Sequence, residues 1–263
     1  MTNWHWQKIQ DRPYLTCDLL ADWQHGFLTK HFAPLDPPQI TAQISPTAGS
    51  NQVKQVHGNT VLSPSEAINT PLKEAETGLA MADGLIADSG HQALWVASAD
   101  CNPVLIADTQ TGMVSAVHAG WRGTAQGIVG VAINKLLALG TVPTNLRVAI
   151  GPAIDGEVYQ VTTGVAAEVC LSILPELQGA EPDQVIDKAL SLPDSPLLPD
   201  EQPGRIRLDV RRVNLWQLRQ LGLTDQQISI TPHCTFQEPD NFFSYRREKL
   251  KKIQWSGIVS RGA

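Results

Sequence analysis

From Gln52 to Gly151 the chain breaks into short apolar runs separated by turn residues, a rhythm that predicts buried strands. The runs are ALWVASA at 93–99, VLIA at 104–107, MVSAV at 113–117 and LRVAI at 146–150. Asn102-Pro103 and Thr111-Gly112 mark turns between the first three. Those links are too short for a crossover helix, so an antiparallel meander is expected. Three segments instead show helical spacing. From Thr124 to Leu139, Ile128, Ala132 and Leu136 recur every fourth residue, and Gly140 supplies a stop. Thr163 to Leu174 carries Val165, Val169 and Ile173 on one face, with Thr162 or Thr163 as cap. Asp209 to Leu221 directs Val210, Val213, Trp216 and Leu221 inward, and Gly222 follows. The first fifty residues, with a Pro-rich stretch from Ala33 to Pro38, predict loops and edge strands. Residues 179–204 are acidic and carry five prolines, which predicts a surface excursion without a packed core. No repeat or linker interrupts the chain, so one α+β domain is expected across 1–263.

Composition narrows the functional classes. The 263 residues are 42% hydrophobic and 17% charged, enough to build a sizeable core. A net charge of −6 argues against nucleic acid as a partner, because phosphate backbones require a basic face. No run reaches the ~18 apolar residues of a membrane span. The opening MTNWHWQKIQDRPYL lacks the apolar centre of a secretory signal, so a cytoplasmic location is expected. Four scattered Cys and seven His form no C-x-x-C, His-x-His or H-E-x-x-H. That excludes a zinc ribbon and the usual metalloprotease signature, argues against a disulfide framework, and leaves no means of building a trinuclear copper cluster.

Any metal or nucleophile site must therefore be assembled from distant residues. Three candidates end apolar runs: His57 in QVHG, Cys101 in SADC and His118 in HAGWRG. Two imidazoles and a thiolate suit zinc and leave a fourth position open; copper also takes these ligands. Taken singly, each is equally well explained as a buried core residue. Cys101 beside His57 or His118 is alternatively a nucleophile activated by imidazole. The glycines and Arg122 of HAGWRG, followed by a helix, form a candidate anion pocket. In FFSYRRE at 242–248, aromatics stand beside Arg246 and Arg247, a combination that can stack a base and grip an anion. Asn59, Asp83 and Asp100 fit turn roles, and Asp100 stands out by adjoining Cys101.

Six segments, QVHG, ADGLIA at 82–87, SADC, HAGWRG, IGPAI at 150–154 and FFSYRRE, occur in an order that resembles a known family. It is the family of purine-nucleoside enzymes long labelled laccase-domain or multicopper polyphenol oxidase proteins. The resemblance implies a single-domain α/β/β/α sandwich with largely antiparallel or mixed sheets. It implies a zinc site at His57, Cys101 and His118, with Arg247 as a catalytic residue. The implied reactions are phosphorolysis of adenosine, inosine, guanosine and 5′-methylthioadenosine, and deamination of adenosine. On that basis Asp100 is expected to move a proton, and Arg122 and Arg246 to help Arg247 hold phosphate. A monomer or homodimer acting on small molecules is expected. A Cys101 hydrolase and a non-catalytic metal-binding module are the alternatives. Two departures stand out: a short segment before His57, and Lys249-Leu-Lys-Lys-Ile-Gln254 in place of the usual Gly-x-Thr-Gly-Arg.

Overall fold

In the strand Asn102–Asp108, Leu105 and Ala107 point one way and Val104 and Ile106 the other, and both sets are buried. That period of two, apolar on both faces, requires a layer on each side. The computed structural model, which describes residues 4–262, supplies both layers. One six-stranded sheet has the spatial order Trp4–Ile9, Arg12–Cys17, His25–Leu28, Gln254–Val259, Gln92–Ser98, Gly49–Gln52. The other runs Ile228–Ile230, Leu146–Ile150, Asn102–Asp108, Val114–Ala119, Gly84–Ile86, Val61–Leu62. Most pairs are antiparallel; Gly49–Gln52, Val61–Leu62 and Ile228–Ile230 join in parallel. Phe27, Leu94 and Val96 of the first sheet meet Leu85, Leu105 and Ala116 of the second in the central core. Helix Ile128–Ala138 covers the outer face of the second sheet, and helix Pro37–Ile44 that of the first. The result is the α/β/β/α sandwich.

Four expectations are corrected. The meander is split: Gln92–Ser98 lies in the first sheet and Asn102–Asp108 in the second. The chain therefore crosses between sheets at Ala99–Cys101, where Asp100 has φ of +86°. Apolar periodicity reports burial and not which sheet a strand joins. The helix expected over 124–139 is two helices, Trp121–Ala125 and Ile128–Ala138, separated at Gly127 with φ of +71°. Within 179–204, Pro182 opens a helix to Leu190 that buries Val185, Ile186 and Ala189, and Leu197–Leu198 joins a three-stranded sheet. Proline at the first helical position forfeits no hydrogen bond, so this segment contributes to a third apolar cluster with Val169, Leu208 and Val213. In the first fifty residues, Pro37 likewise opens a helix, capped reciprocally by Asp36 and Gln39. Trp4–Ile9 is an edge strand as expected. Asp209 caps the helix Val210–Gln220 by accepting from the backbone N–H groups of Arg211 and Arg212. Among the described residues no helix is long and apolar enough to cross a membrane.

Candidate functional site

The sheet register builds the site. Pro103 lies opposite His118 on neighbouring strands, so Cys101, just before the first strand, arrives beside the end of the second. His57 reaches the same place from a loop in which its own φ is +61°. The ligand atoms of His57, Cys101 and His118 all lie within 4.8 Å of one another. The two imidazole rings stand edge to face, 5.0 Å apart.

Asp83 holds this arrangement together. Its carboxylate is fully buried and accepts from the backbone N–H groups of Val56, His57 and Gly58 at 3.1, 2.8 and 2.7 Å. It also accepts from His118 Nδ1 at 2.9 Å. That bond directs the other ring nitrogen of His118 toward Cys101, the usual support for a metal-ligating imidazole. Burial raises the Asp83 pKa, yet the His118 and backbone bonds outweigh it and hold the carboxyl below its usual range. Burial works against the other two charges as well. His118 is nevertheless pushed up to about 9 by Cys101 and Asp83. The Cys101 thiol is brought down to about 6 by His118 and His57. In sequence, Asp83 reads only as a turn residue. The available signal was its place immediately before the strand Gly84–Ile86, in which Gly84 pairs with Val117.

The donor set passes a further test of fit. A Cβ on Gly120 would stand 2.9 Å from Cys101 Sγ and 3.5 Å from His57, so only glycine leaves the thiolate room at this point. Gly120→Ala is expected to weaken metal affinity about tenfold or more while leaving the helix after it intact. Competition against a chelator of known affinity measures this; unchanged affinity would show that the tight contact does not matter.

The remaining candidates divide into two groups. Arg246 and Arg122 lie around Tyr159. The Arg246 guanidinium sits 4.7 Å from the Tyr159 ring centre and donates to the Gln160 carbonyl at 2.9 Å. Arg122 is exposed and stacks on Trp121 at 4.3 Å. The Tyr159 phenol is pushed up to about 12, mainly by burial, and feels the charges of Cys101, Arg246, Asp100 and Arg122. Tyr159 therefore stands within electrostatic reach of Cys101 and both guanidinium groups, although its sequence context gave no hint of it.

Arg247 and Asp100 are turned elsewhere. Arg247 donates to the carbonyls of Thr235, Phe236 and Phe242, each at 2.7 Å, and to Glu248 at 2.8 Å. Its donors are thus directed into its own loop. Asp100 accepts from the Thr235 hydroxyl at 2.7 Å, the Ser244 hydroxyl at 3.0 Å and the Arg246 backbone N–H at 2.7 Å. These bonds tie the sheet crossover to the loop that carries Arg246. Asn59 bonds the Gln126 carbonyl at 3.1 Å, a loop contact.

Residues 39–258 match the family described as multi-copper polyphenol oxidoreductase laccase. The chain belongs to this family. Among the laccase-domain relatives, a Synechocystis protein named purine nucleoside phosphorylase is 50% identical over 257 residues, 98% of this chain and 97% of that one. YlmD of Geobacillus stearothermophilus, also named purine nucleoside phosphorylase, is 31% identical over 203 residues, 74% of this chain and 66% of that one. The crystal structure of YlmD from that organism superimposes with a TM-score of 0.77 at 25% identity, covering 98% of this chain and 99% of its own. That of Bacillus licheniformis YfiH gives 0.72 at 26% identity, covering 94% and 96%. The laccase-domain sandwich is thus shared from end to end.

Proposed function

We infer that this chain is a zinc-dependent purine nucleoside phosphorylase that also deaminates adenosine. The convergence of His57, Cys101 and His118 within 4.8 Å carries this reading. The names of the Synechocystis and Geobacillus relatives support the phosphorolytic part. His57, Cys101 and His118 would hold the metal, and a thiolate with two imidazoles is a common zinc set that copper can also occupy. When bound, zinc supplies Lewis acidity beside the substrate.

In phosphorolysis, the bond from the purine nitrogen to ribose C1′ breaks and a phosphate oxygen bonds to C1′, releasing base and ribose 1-phosphate. Positive charge develops on the ribose during this exchange. Arg246 and Arg122 are the two guanidinium groups positioned to hold phosphate against it. Tyr159 offers a ring beneath Arg246, and Asp100 holds the Arg246 backbone in place. Arg247 acts as a positioning residue by fixing the loop 235–248.

Arg246→Ala is expected to raise the KM for phosphate about tenfold or more, with a smaller effect on deamination. Equal losses in both reactions would assign Arg246 to the nucleoside instead. The reading itself is tested by incubating the protein with adenosine, with and without phosphate, and separating the products. Adenine with ribose 1-phosphate, formed only with phosphate, and inosine formed without it are expected. No conversion would leave a metal-binding module. Activity on other amides or esters that is blocked by iodoacetamide but survives chelation would identify Cys101 as a hydrolase nucleophile.

A further inference from the structure

We propose that a cleft beside the C-terminal strand is a second binding site, for a planar aromatic ring carrying a phosphate group, of the kind a nucleoside monophosphate presents. The cleft has a volume of about 600 Å³ and opens between the loop Thr29–Asp36 and the segment Lys251–Trp255. That volume lies within the range of small-molecule sites, about 300–1,000 Å³. Phe32, Leu35, Phe243 and Trp255 line it; Phe32 is buried beneath, and the part-exposed rings of Phe243 and Trp255 are left to meet a flat ligand.

Lys251 and Lys252 provide its positive charge, which exceeds the single opposing charge of Asp36, a carboxylate engaged in accepting from the Gln39 N–H. Both are exposed, and among the described residues neither appears in an ion pair. Glu248, the carboxylate that senses Lys252, is already bonded to Arg247 at 2.8 Å. The Lys252 ammonium lies 5.4 Å from the Phe243 ring centre, so cation and aromatic wall face the same space. Two lysines lining one cleft suit a group that carries between one and two negative charges at neutral pH. They stand out on a chain whose net charge is −6.

None of the lining residues belongs to the metal-ligand triad, and Arg246, Tyr159 and Arg122 do not line it, so this is a separate site. It is nonetheless connected to the first. The Gln254 side chain accepts from the Phe243 N–H at 2.9 Å and donates to its carbonyl at 3.3 Å. Ser244, the next residue, donates to Asp100.

The test is calorimetric titration of the full chain with AMP, adenosine and inorganic phosphate, each alone. Wild type is compared with Lys251→Gln/Lys252→Gln and with Arg246→Ala. AMP is expected to bind more tightly than inorganic phosphate, to weaken about tenfold in the double lysine variant, and to be unaffected by Arg246→Ala. The lysine variant is also expected to retain its circular dichroism spectrum and wild-type turnover of adenosine. Because the titration needs no turnover, it stands even if the phosphorylase reading fails. AMP binding that is absent, that survives loss of both lysines, that vanishes with Arg246, or that inorganic phosphate matches would overturn the proposal.

Discussion

Asp83→Ala is expected to be the most damaging single substitution in the site, costing about 3–5 kcal/mol of stability and abolishing metal binding. The carboxylate is fully buried and serves four donors: three successive backbone N–H groups and the His118 ring. Removing it leaves those N–H groups without their acceptor and the His118 imidazole without its fixed orientation. The loop at 56–58 then loses the anchor that holds His57 in its left-handed conformation. Chemical denaturation reads the first effect and metal analysis of the folded fraction reads the second. Asp83→Asn keeps the shape and one acceptor, so it is expected to retain more stability than the alanine variant while still losing metal. Stability within about 0.5 kcal/mol of wild type in the alanine variant would refute the anchoring role.

The second large effect is expected at Cys101. Cys101→Ser should reduce bound zinc to a small fraction of one per chain and lower phosphorolysis and deamination together, by about a hundredfold or more. A serine hydroxyl stays protonated at neutral pH and replaces the only thiolate donor of the three. The fold should survive, because the half-buried side chain keeps nearly its shape and its neighbours on the crossover remain held by Asp100. Elemental analysis and circular dichroism separate the two outcomes. Full zinc content in the serine variant would remove Cys101 from the ligand set.

The parts of the molecule legible in the sequence are those that depend on local pattern. The unbroken apolar run at 104–107 marked a buried strand, and Gly140 and Gly222 marked real helix ends. His57, Cys101 and His118 could be chosen because each is a ligand-type residue within two positions of a glycine or aspartate at the edge of an apolar run.

What stayed hidden depends on how the chain crosses space. The strands at 92–98 and 102–108 look alike in sequence, yet the crossover at Asp100 sends them to opposite sheets. That crossover delivers Cys101 to His118. Asp83 resembles an ordinary turn aspartate because its partners are backbone N–H groups, which leave no mark in sequence. Arg246 and Arg247 are adjacent in the short helix Tyr245–Glu248, so their side chains leave in different directions. One reaches Tyr159 and the other turns into its own loop. The prolines of 179–204 obscured Val185, Ile186 and Ala189, which face inward once Pro182 has opened the helix.

On this reading one metal centre, held by His57, Cys101 and His118, serves the phosphorolysis. The most direct test strips the protein with a chelator, returns zinc in measured steps, and follows adenine release from adenosine in phosphate. The stripped protein should be inactive, and activity should rise linearly to a plateau at one zinc per chain. Full activity in metal-free protein, or a rise that ignores the Cys101→Ser substitution, would contradict it.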